Sequence, residues 1–220
     1  MGVCTRRETL AAEATASSLA ERIHVRHATP GDADALAALG SAVGSEDEGW
    51  LITDGTWRGA TDERRYLKSI RRYPHAAVFV AENDEGIVGR LSIARDSHPA
   101  SYHVADFGLM VASGKRRQGI GTALIEEAIR WARGSGIHKL ELHVFPHNEP
   151  AIALYEKLGF RREGYRRGHY RRGETYVDAI LMALDLSESR DQLPPEPGFA
   201  RREAHRGEED DRSSRRAADS

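Results

Sequence analysis

The stretch "GKRRQGIGTALIEEAIRWA", residues 114–132, constrains the fold more than any other part of the chain. It follows a strand-like apolar run that ends at Val111, and it leads into a helix that is predicted to begin at Thr122, with apolar residues at helical spacing, and to stop at Gly134. Glycines in a turn between strand and helix leave backbone N–H groups unobstructed, and the helix N-terminus adds about half a positive charge. The sequence therefore predicts an anion-binding turn here.

Two common phosphate-binding motifs do not fit this turn. A dinucleotide-binding fingerprint needs a third glycine where Leu124 stands. A P-loop needs Lys followed by Ser or Thr after Gly119, where the chain has Ile120 and Gly121. The pattern that remains is Arg-x-x-Gly-x-Gly, starting at Arg116.

A second segment, "NEPAIALYEKLGF" at residues 148–160, follows one intervening strand-like run and predicts a short helix. Together, the two segments resemble the pyrophosphate loop and the distal end of the acetyl-CoA site in the GNAT family of N-acetyltransferases. The resemblance extends over nearly all of residues 23–186. It implies acetyl transfer from acetyl-CoA, a co-substrate, to a primary amine by direct attack in a ternary complex, without a metal.

The remaining patterns indicate an α/β fold of the α+β-like kind. A strand at residues 23–27 precedes a helix with Thr29 as its N-cap, and a second helix starts near Thr61 or Asp62. Three strand-like runs joined by turns then predict an antiparallel meander, and a closing hairpin turns near Gly173. The resemblance implies a mixed, mostly antiparallel sheet with a splayed central strand pair and flanking helices.

Length and composition predict one domain. The 220 residues are 40% apolar, which is enough for one core. Residues 187–220 combine mixed charges with three prolines and predict a disordered tail. Residues 1–21 predict a flexible leader, which leaves an N-acetyltransferase domain at 22–186.

Charge and cysteine content exclude several classes of protein. The 32 Lys and Arg nearly balance the 34 Asp and Glu, so no whole-chain field favours nucleic acid or an anionic membrane. Cys4 is the only cysteine, which excludes an internal disulfide and fits a reducing cytoplasm. The apolar stretch at residues 9–20 is too short and too polar for a membrane span or a signal peptide.

Two residues are candidates for proton transfer during the reaction. By the resemblance, Tyr155 is the general acid that protonates the departing thiolate, although its spacing equally fits a core aromatic residue. Asp106 is the candidate base, because it shares a strand face with Gly108 and Met110 and no Glu lies between His103 and Val111. Weaker candidates for the base are His103, Glu82 and Tyr102.

The resemblance also implies a set of cofactor-binding residues. Asn148 is predicted to cap a helix and to hydrogen-bond the cofactor. Arg116 is favoured over Arg117 as a partner of the pyrophosphate. His143 and His147 lack the helical His-Glu-x-x-His spacing, so no zinc site is predicted. The full cofactor set is Leu109, Met110, Val111, Arg116, Arg117, Gln118, Gly119, Ile120, Gly121, Thr122 and Asn148.

The identity of the acceptor stays open between an amino acid, another small amine and a protein N-terminus. Its pocket is expected between residues 44–60, where Trp50 and Trp57 are predicted to be exposed, and residues 161–175. The segment "RREGYRRGHYRR", residues 161–172, suggests an alternative function, a non-catalytic module that docks RNA or protein. Its arginines could instead be solvated, or contact the cofactor's 3′-phosphate or an acidic acceptor. The resemblance also admits a homodimer, for which the sequence shows no interface signal.

Overall fold

The computed structural model of the chain describes residues 23–52 and 56–187. The strands and helices are β1 (His24–His27), α1 (Ala33–Gly44), α2 (Ala60–Ile70), β2 (Ala76–Asn83), β3 (Gly86–Arg95), β4 (Val104–Val111), α3 (Ile120–Gly134), β5 (Lys139–Val144), α4 (Glu149–Lys157), β6 (Arg161–Arg172) and β7 (Thr175–Asp185). The predicted leader at 1–21 and the predicted tail, from residue 188 on, lie outside the described residues.

The strands form one seven-stranded sheet in the order β1-β2-β3-β4-β5-β7-β6. All neighbouring pairs are antiparallel except β4 and β5, which are parallel. This parallel pair is short, since only Val104–Asp106 pairs with Lys139–Glu141 although both strands continue. The predicted fold class, with its splayed central strands, is confirmed.

Side chains alternate across the sheet and divide the core into two sides. On one side, Ala105 and Phe107 of β4 join a large cluster with Leu124 and Ile125 of α3. On the other side, Met110 packs with Leu39 and Val43 of α1. Helices α3 and α4 therefore cover one face near β4, and α1 lies against the other.

A buried ion cluster holds α2 against the sheet. The Glu63 side chain is 0% exposed and lies 3.3 Å from Arg58 Nε and 3.6 Å from Arg90 Nε on β3. Both guanidinium groups lie near the ring of Trp57, at 5.6 and 5.3 Å from its centroid. Trp57 is thereby fixed next to the part of β4 that carries Met110.

Helix α2 begins at Ala60 with Gly59 as its N-cap, so Thr61 and Asp62 lie near its start as predicted. Two other local expectations were wrong. Helix α3 begins at Ile120 instead of Thr122, because Gly119 takes up a left-handed conformation at the N-cap. Trp57 and Trp50 are half-buried instead of exposed. Gly40 of α1 makes room for the Trp57 ring, since any side chain there would collide with it.

The left-handed backbone of Gly119, with φ at 84°, predicts a cost for a side chain at this position. A Cβ there would meet nothing within 4 Å, so the strain comes from the backbone alone. Gly119→Ala is expected to lower the free energy of unfolding by about 1 kcal/mol, measured by urea denaturation. Gly114→Ala is the matched control, because Gly114 is equally uncrowded and has no positive φ. Equal unfolding midpoints for the two variants would contradict the prediction.

Candidate active site

The turn between β4 and α3, residues 112–119, presents a row of free backbone N–H groups. Arg117 and Gly119 have φ angles of 64° and 84°, and such left-handed residues curve the backbone into a concave nest. The first backbone bond of α3 runs from Ala123 N to Gly119 O. Among the described residues, no acceptor takes up the N–H groups of Arg117 through Thr122. Six consecutive donors at a helix N-terminus have the geometry expected of an anion-binding turn, so anion binding here stays a prediction.

Two glycines bring the start of α3 close to its neighbours. A Cβ on Gly121 would lie 2.9 Å from Leu154 Cδ2 of α4. A Cβ on Gly89 of β3 would lie 2.9 Å from Ile120 Cγ2. The bare backbone at both positions lets the N-terminus of α3 settle against the sheet and against α4.

The two arginines of the turn have different surroundings. Arg116 Nη2 lies 2.7 Å from both carboxylate oxygens of Glu46, and Arg116 Nε donates to Val111 O at 3.2 Å. Arg117 is exposed, and its side chain has no hydrogen-bond or ion-pair partner within residues 23–52 and 56–187. Gln118 Nε2 donates to Gly114 O at 3.3 Å. The preference for Arg116 over Arg117 as an anion partner stays a prediction.

The splay leaves one edge of β4 unpaired at its C-terminal end. Leu109, Met110 and Val111 pair with β3 on one side, whereas pairing with β5 stops at Asp106. A slot with free backbone groups therefore opens beside these three residues. At its far end, Asn148 Oδ1 accepts a hydrogen bond from Ala151 N at 3.2 Å, which confirms its predicted role as the cap of α4.

Tyr155 of α4 is both a core residue and a candidate for catalysis. Its side chain is 6% exposed and packs edge-on against Phe107 and Phe160, with centroid distances of 6.1 and 5.8 Å. Its hydroxyl has no hydrogen-bond partner in the described part of the chain. Burial and the charge of Asp106 raise the pKa of Tyr155 well above its ordinary value of 10, so the phenol keeps its proton.

Asp106 is the last paired residue of β4 before the splay. Asp106 is exposed to solvent, although nearby protein atoms partly desolvate its carboxylate. Desolvation and the nearby charge of Glu141 raise the pKa of Asp106 to about 6, while the charge of Arg166 opposes this shift. Because its charge acts on Tyr155, the structure brings the two predicted catalytic residues together.

The weaker candidates for the base lie elsewhere. Glu82 is on β2, where Arg26 Nη2 donates to it at 2.8 Å. The Tyr102 hydroxyl is 2.8 Å from His75 Nε2. His103 precedes β4, at the end opposite to the splay, and its carbonyl accepts from the backbone of His138 and Lys139. The contacts of these three residues are made outside the candidate active site.

Sequence reasoning missed a cluster of His143, His169 and Tyr170 beside Asp106. The Tyr170 hydroxyl lies 2.7 Å from His143 Nδ1, and the two histidine rings meet edge-on at 5.1 Å. Burial and the charges of Arg166 and His169 lower the pKa of His143, which favours a neutral imidazole. The alternation of polar Glu141 and His143 with buried neighbours along β5 was the available signal.

The segments expected to build an acceptor pocket touch each other. Trp50 stacks on His147 with a centroid distance of 5.8 Å, and His147 Nε2 lies 3.1 Å from Glu48 O. Arg172 of the hairpin donates to Leu51 O. Residues 45–52 therefore lie against both the β5–α4 connection and the β6–β7 hairpin.

Other features of the described residues lie outside this region. A recess of about 390 Å³ is lined by residues of β2, α2 and the β1 end, including Thr29, Leu67 and Val78. Within residues 23–52 and 56–187, no group of three or more His, Cys, Asp or Glu could hold a metal ion. No helix in this part of the chain combines the length and apolarity needed to cross a membrane.

The profile of the Acetyltransferase (GNAT) family matches residues 48–160, a range that contains the anion-binding turn, Asp106 and Tyr155. The chain belongs to the GNAT acetyltransferase family. The L-amino acid N-acetyltransferase AaaT of Escherichia coli K12 is 34% identical over 135 residues, which cover 60% of this GNAT chain and 76% of that protein.

Two further GNAT-like proteins extend the comparison. The ribosomal protein bS18-alanine N-acetyltransferase of E. coli K12 is 42% identical over 81 residues, 37% of this chain and 55% of that protein. The structure of yncA from Salmonella typhimurium, solved with its cofactor acetyl-CoA, is 20% identical with a TM-score of 0.67, and covers 77% of this chain and 96% of that one. The last likeness shows the GNAT fold.

The raised pKa of Asp106 predicts a pH-dependent effect of Asp106→Asn on stability. In the unfolded chain Asp titrates near 3.9, whereas in the folded protein the pKa is about 6. The ionised carboxylate therefore lowers the free energy of unfolding above pH 6, and has no such effect below about pH 4, where both states are protonated. Asp106→Asn is expected to raise the urea midpoint at pH 8 relative to wild type, with no gain at pH 4.

Asp178→Asn serves as the control with the opposite sign. Hydrogen bonds from Gly168 N and the Tyr165 hydroxyl lower the pKa of Asp178, so its charge stabilises the folded state at neutral pH. Its replacement is expected to lower the midpoint at pH 8 and to have less effect at acidic pH. An Asp106→Asn effect that is the same at pH 4 and pH 8 would show that the pKa of Asp106 is not raised.

Proposed function

We propose that the protein transfers an acetyl group from acetyl-CoA to a primary amine by direct attack in a ternary complex. The observation that carries this proposal is the row of six unbonded N–H groups from Arg117 to Thr122, directly beside the slot along β4. Such a row fits a diphosphate, because each amide can donate to a phosphate oxygen and the helix end favours negative charge. Membership of the GNAT acetyltransferase family supports the same assignment.

Different residues of the chain bind different parts of the cofactor. The amides of residues 117–122 hold the diphosphate, and the free edge of Leu109, Met110 and Val111 lies along the pantetheine arm. Asn148 contributes a further hydrogen bond at the end of the slot, and the Arg116 and Arg117 side chains add positive charge beside the phosphates. When bound, acetyl-CoA supplies an activated acyl carbon and a thiolate leaving group.

Tyr155 and Asp106 move the protons. Asp106, with a pKa of about 6, is ionised at neutral pH, so it holds the acceptor ammonium and takes its proton. Tyr155, whose pKa is raised by burial, keeps its proton until a thiolate forms and then donates it. Burial raises the pKa of both groups from different ordinary values, so at neutral pH the phenol is protonated and the carboxylate is ionised, which supports these roles.

The acceptor is a primary amine in either class of named relative. AaaT is named for L-amino acids, and the bS18 enzyme for an alanine of a ribosomal protein. In both cases a primary amine would enter from the side of residues 45–52 and the β6–β7 hairpin, where Asp106 is accessible. A reducing cytoplasm is our proposed location.

The arginine-rich strand β6 gives less support to an RNA-docking module. Arg162 Nη2 lies 3.1 Å from Glu156, and Arg171 Nη2 lies 3.0 Å from Glu174. Arg172 donates to Leu51 O. Partners inside the protein thus occupy part of the donor capacity of these three arginines, which leaves less of it for phosphates.

The proposal predicts that Tyr155→Phe lowers kcat by roughly 10²- to 10⁴-fold, the usual contribution of a general acid. The affinity for acetyl-CoA should be nearly unchanged, because only the hydroxyl is lost. Thiol release from acetyl-CoA with a panel of amines measures the rate, and calorimetry measures the affinity. Tyr176→Phe is the matched control, since this tyrosine is 68% exposed.

Two results would count against the proposal. Equal losses of kcat and of acetyl-CoA affinity would assign Tyr155 a packing role. The absence of any heat of acetyl-CoA binding to the wild-type protein would remove the basis of the whole proposal.

A further inference from the structure

Strand β6 contains a bulge that brings the side chains of Arg166, His169 and Tyr170 close to one another. Arg166 pairs with Ala179 and Tyr170 with Val177, so four steps along β6 oppose two along β7. Gly168 lies inside the bulge with φ at 55°, and its N–H donates to Asp178 Oδ1 at 2.6 Å. As a result, the ring of His169 lies 4.7 Å from Tyr170 and on the same side as Tyr170.

The register of the sheet places Arg166 on the same face as Asp106. Asp106 is opposite Glu141, and His143, two residues further along β5, is opposite Leu181 of β7. Two residues before Leu181, Ala179 is opposite Arg166. Alternation keeps these side chains on one face, and the small Ala179 leaves room for a long side chain to lie across β7.

Electrostatic effects are consistent with this arrangement. Burial raises the pKa of Asp106 and of Tyr170, and the charge of Arg166 opposes both shifts. Burial lowers the pKa of His143, and the charge of Arg166 adds to that shift, so Arg166 lies near all three groups. The other charged and titratable groups in this region are Glu141 and Lys139 of β5 and His169 of β6. Lys139 is paired with Glu141 and Glu163 at 2.8 and 2.7 Å, so Arg166 is the cation here that forms no ion pair within the described residues.

Arg166 has no carboxylate partner among the described residues. Its one hydrogen bond there joins Nη1 to His169 Nε2 at 3.3 Å. The charge of its neighbour Arg167 instead affects the pKa of Asp178 and of Tyr165, as expected for a side chain on the opposite face of the strand. Arg166 forms no ion pair with a described side chain, and the exposed carboxylate of Asp106, to which we assign the acceptor ammonium, lies near it. The two groups together complement a small molecule that carries both charges.

We propose that Arg166 binds a carboxylate of the acceptor, and that the acceptor is a free amino acid. This inference rests on the proposed function and specifies its substrate class. The acceptor ammonium lies against Asp106 while its carboxylate receives two parallel N–H donors from the guanidinium fork. A simple amine or a peptide N-terminus has no carboxylate at this distance and leaves Arg166 without its partner.

The test compares each proteinogenic L-amino acid with its own carboxamide. The two acceptors share a side chain and an amine, and the carboxamide imitates a peptide N-terminus. With the full-length protein and acetyl-CoA, thiol release should give a kcat/KM for the best amino acid at least about 10-fold above that of its carboxamide, the effect of one charge-assisted hydrogen bond.

Variants assign this preference to Arg166. Arg166→Gln should raise KM for the amino acid by about 10-fold or more with little change in kcat, and bring the ratio of amino acid to carboxamide near one. Arg166→Lys keeps the charge without the fork and should give an intermediate ratio. Arg167→Gln removes the same charge one residue away, on the opposite face, and should leave the ratio unchanged.

The outcomes separate this inference from the proposed function. An unchanged ratio in Arg166→Gln, or carboxamides that match or exceed the amino acids, overturns the inference and leaves amine acetylation in place. No thiol release by the wild-type protein with any amine overturns both. Urea midpoints show whether the variants fold, and if Arg166→Gln does not, an unchanged ratio in Arg166→Lys overturns the inference.

Discussion

The short parallel pairing of β4 with β5 is the constraint on which the site depends. After Asp106 and Glu141 the two strands no longer pair with each other, although both continue. Unpaired strand edges inside a sheet are costly unless something binds them. The packed residues on both sides, such as Phe107 and Leu142, hold the strands in place while the gap stays open. The gap joins the two faces of the sheet, which is what the proposed mechanism requires of Tyr155 on one side and Asp106 on the other.

The same gap sets the protonation states. Burial raises the pKa of both Tyr155 and Asp106, yet the two groups start from different ordinary values. At neutral pH the phenol therefore remains protonated and the carboxyl remains ionised, as a donor and an acceptor of protons must be. Arg166 limits the rise in the Asp106 pKa, so the cation that we assign to substrate binding also keeps Asp106 charged. In the mechanism that we propose, one guanidinium therefore takes part in both acceptor recognition and proton transfer.

Local patterns predicted the elements, and contacts between distant residues decided most of what the sequence did not reveal. The period of α3, the turn before it and the hairpin near Gly173 each depend on neighbouring residues, and all were predicted. The burial of Trp57 depends on Gly40, a residue of another helix. The pair of Arg116 and Glu46 joins positions 70 residues apart, which no local pattern can indicate. The start of α3 was misplaced for a different reason, because periodicity does not report the left-handed φ of Gly119.

Residues 45–52 connect the two halves of the site. At one end, Glu46 binds Arg116 of the anion-binding turn with both carboxylate oxygens at 2.7 Å. At the other end, Leu51 O accepts from Arg172, on the strand that also carries Arg166. One short stretch of backbone is therefore fixed both to the wall that we assign to the cofactor and to the wall that we assign to the acceptor. Direct transfer in a ternary complex needs both walls formed at once on the same side of the gap, and a shared segment provides this because neither wall can shift without pulling on the other.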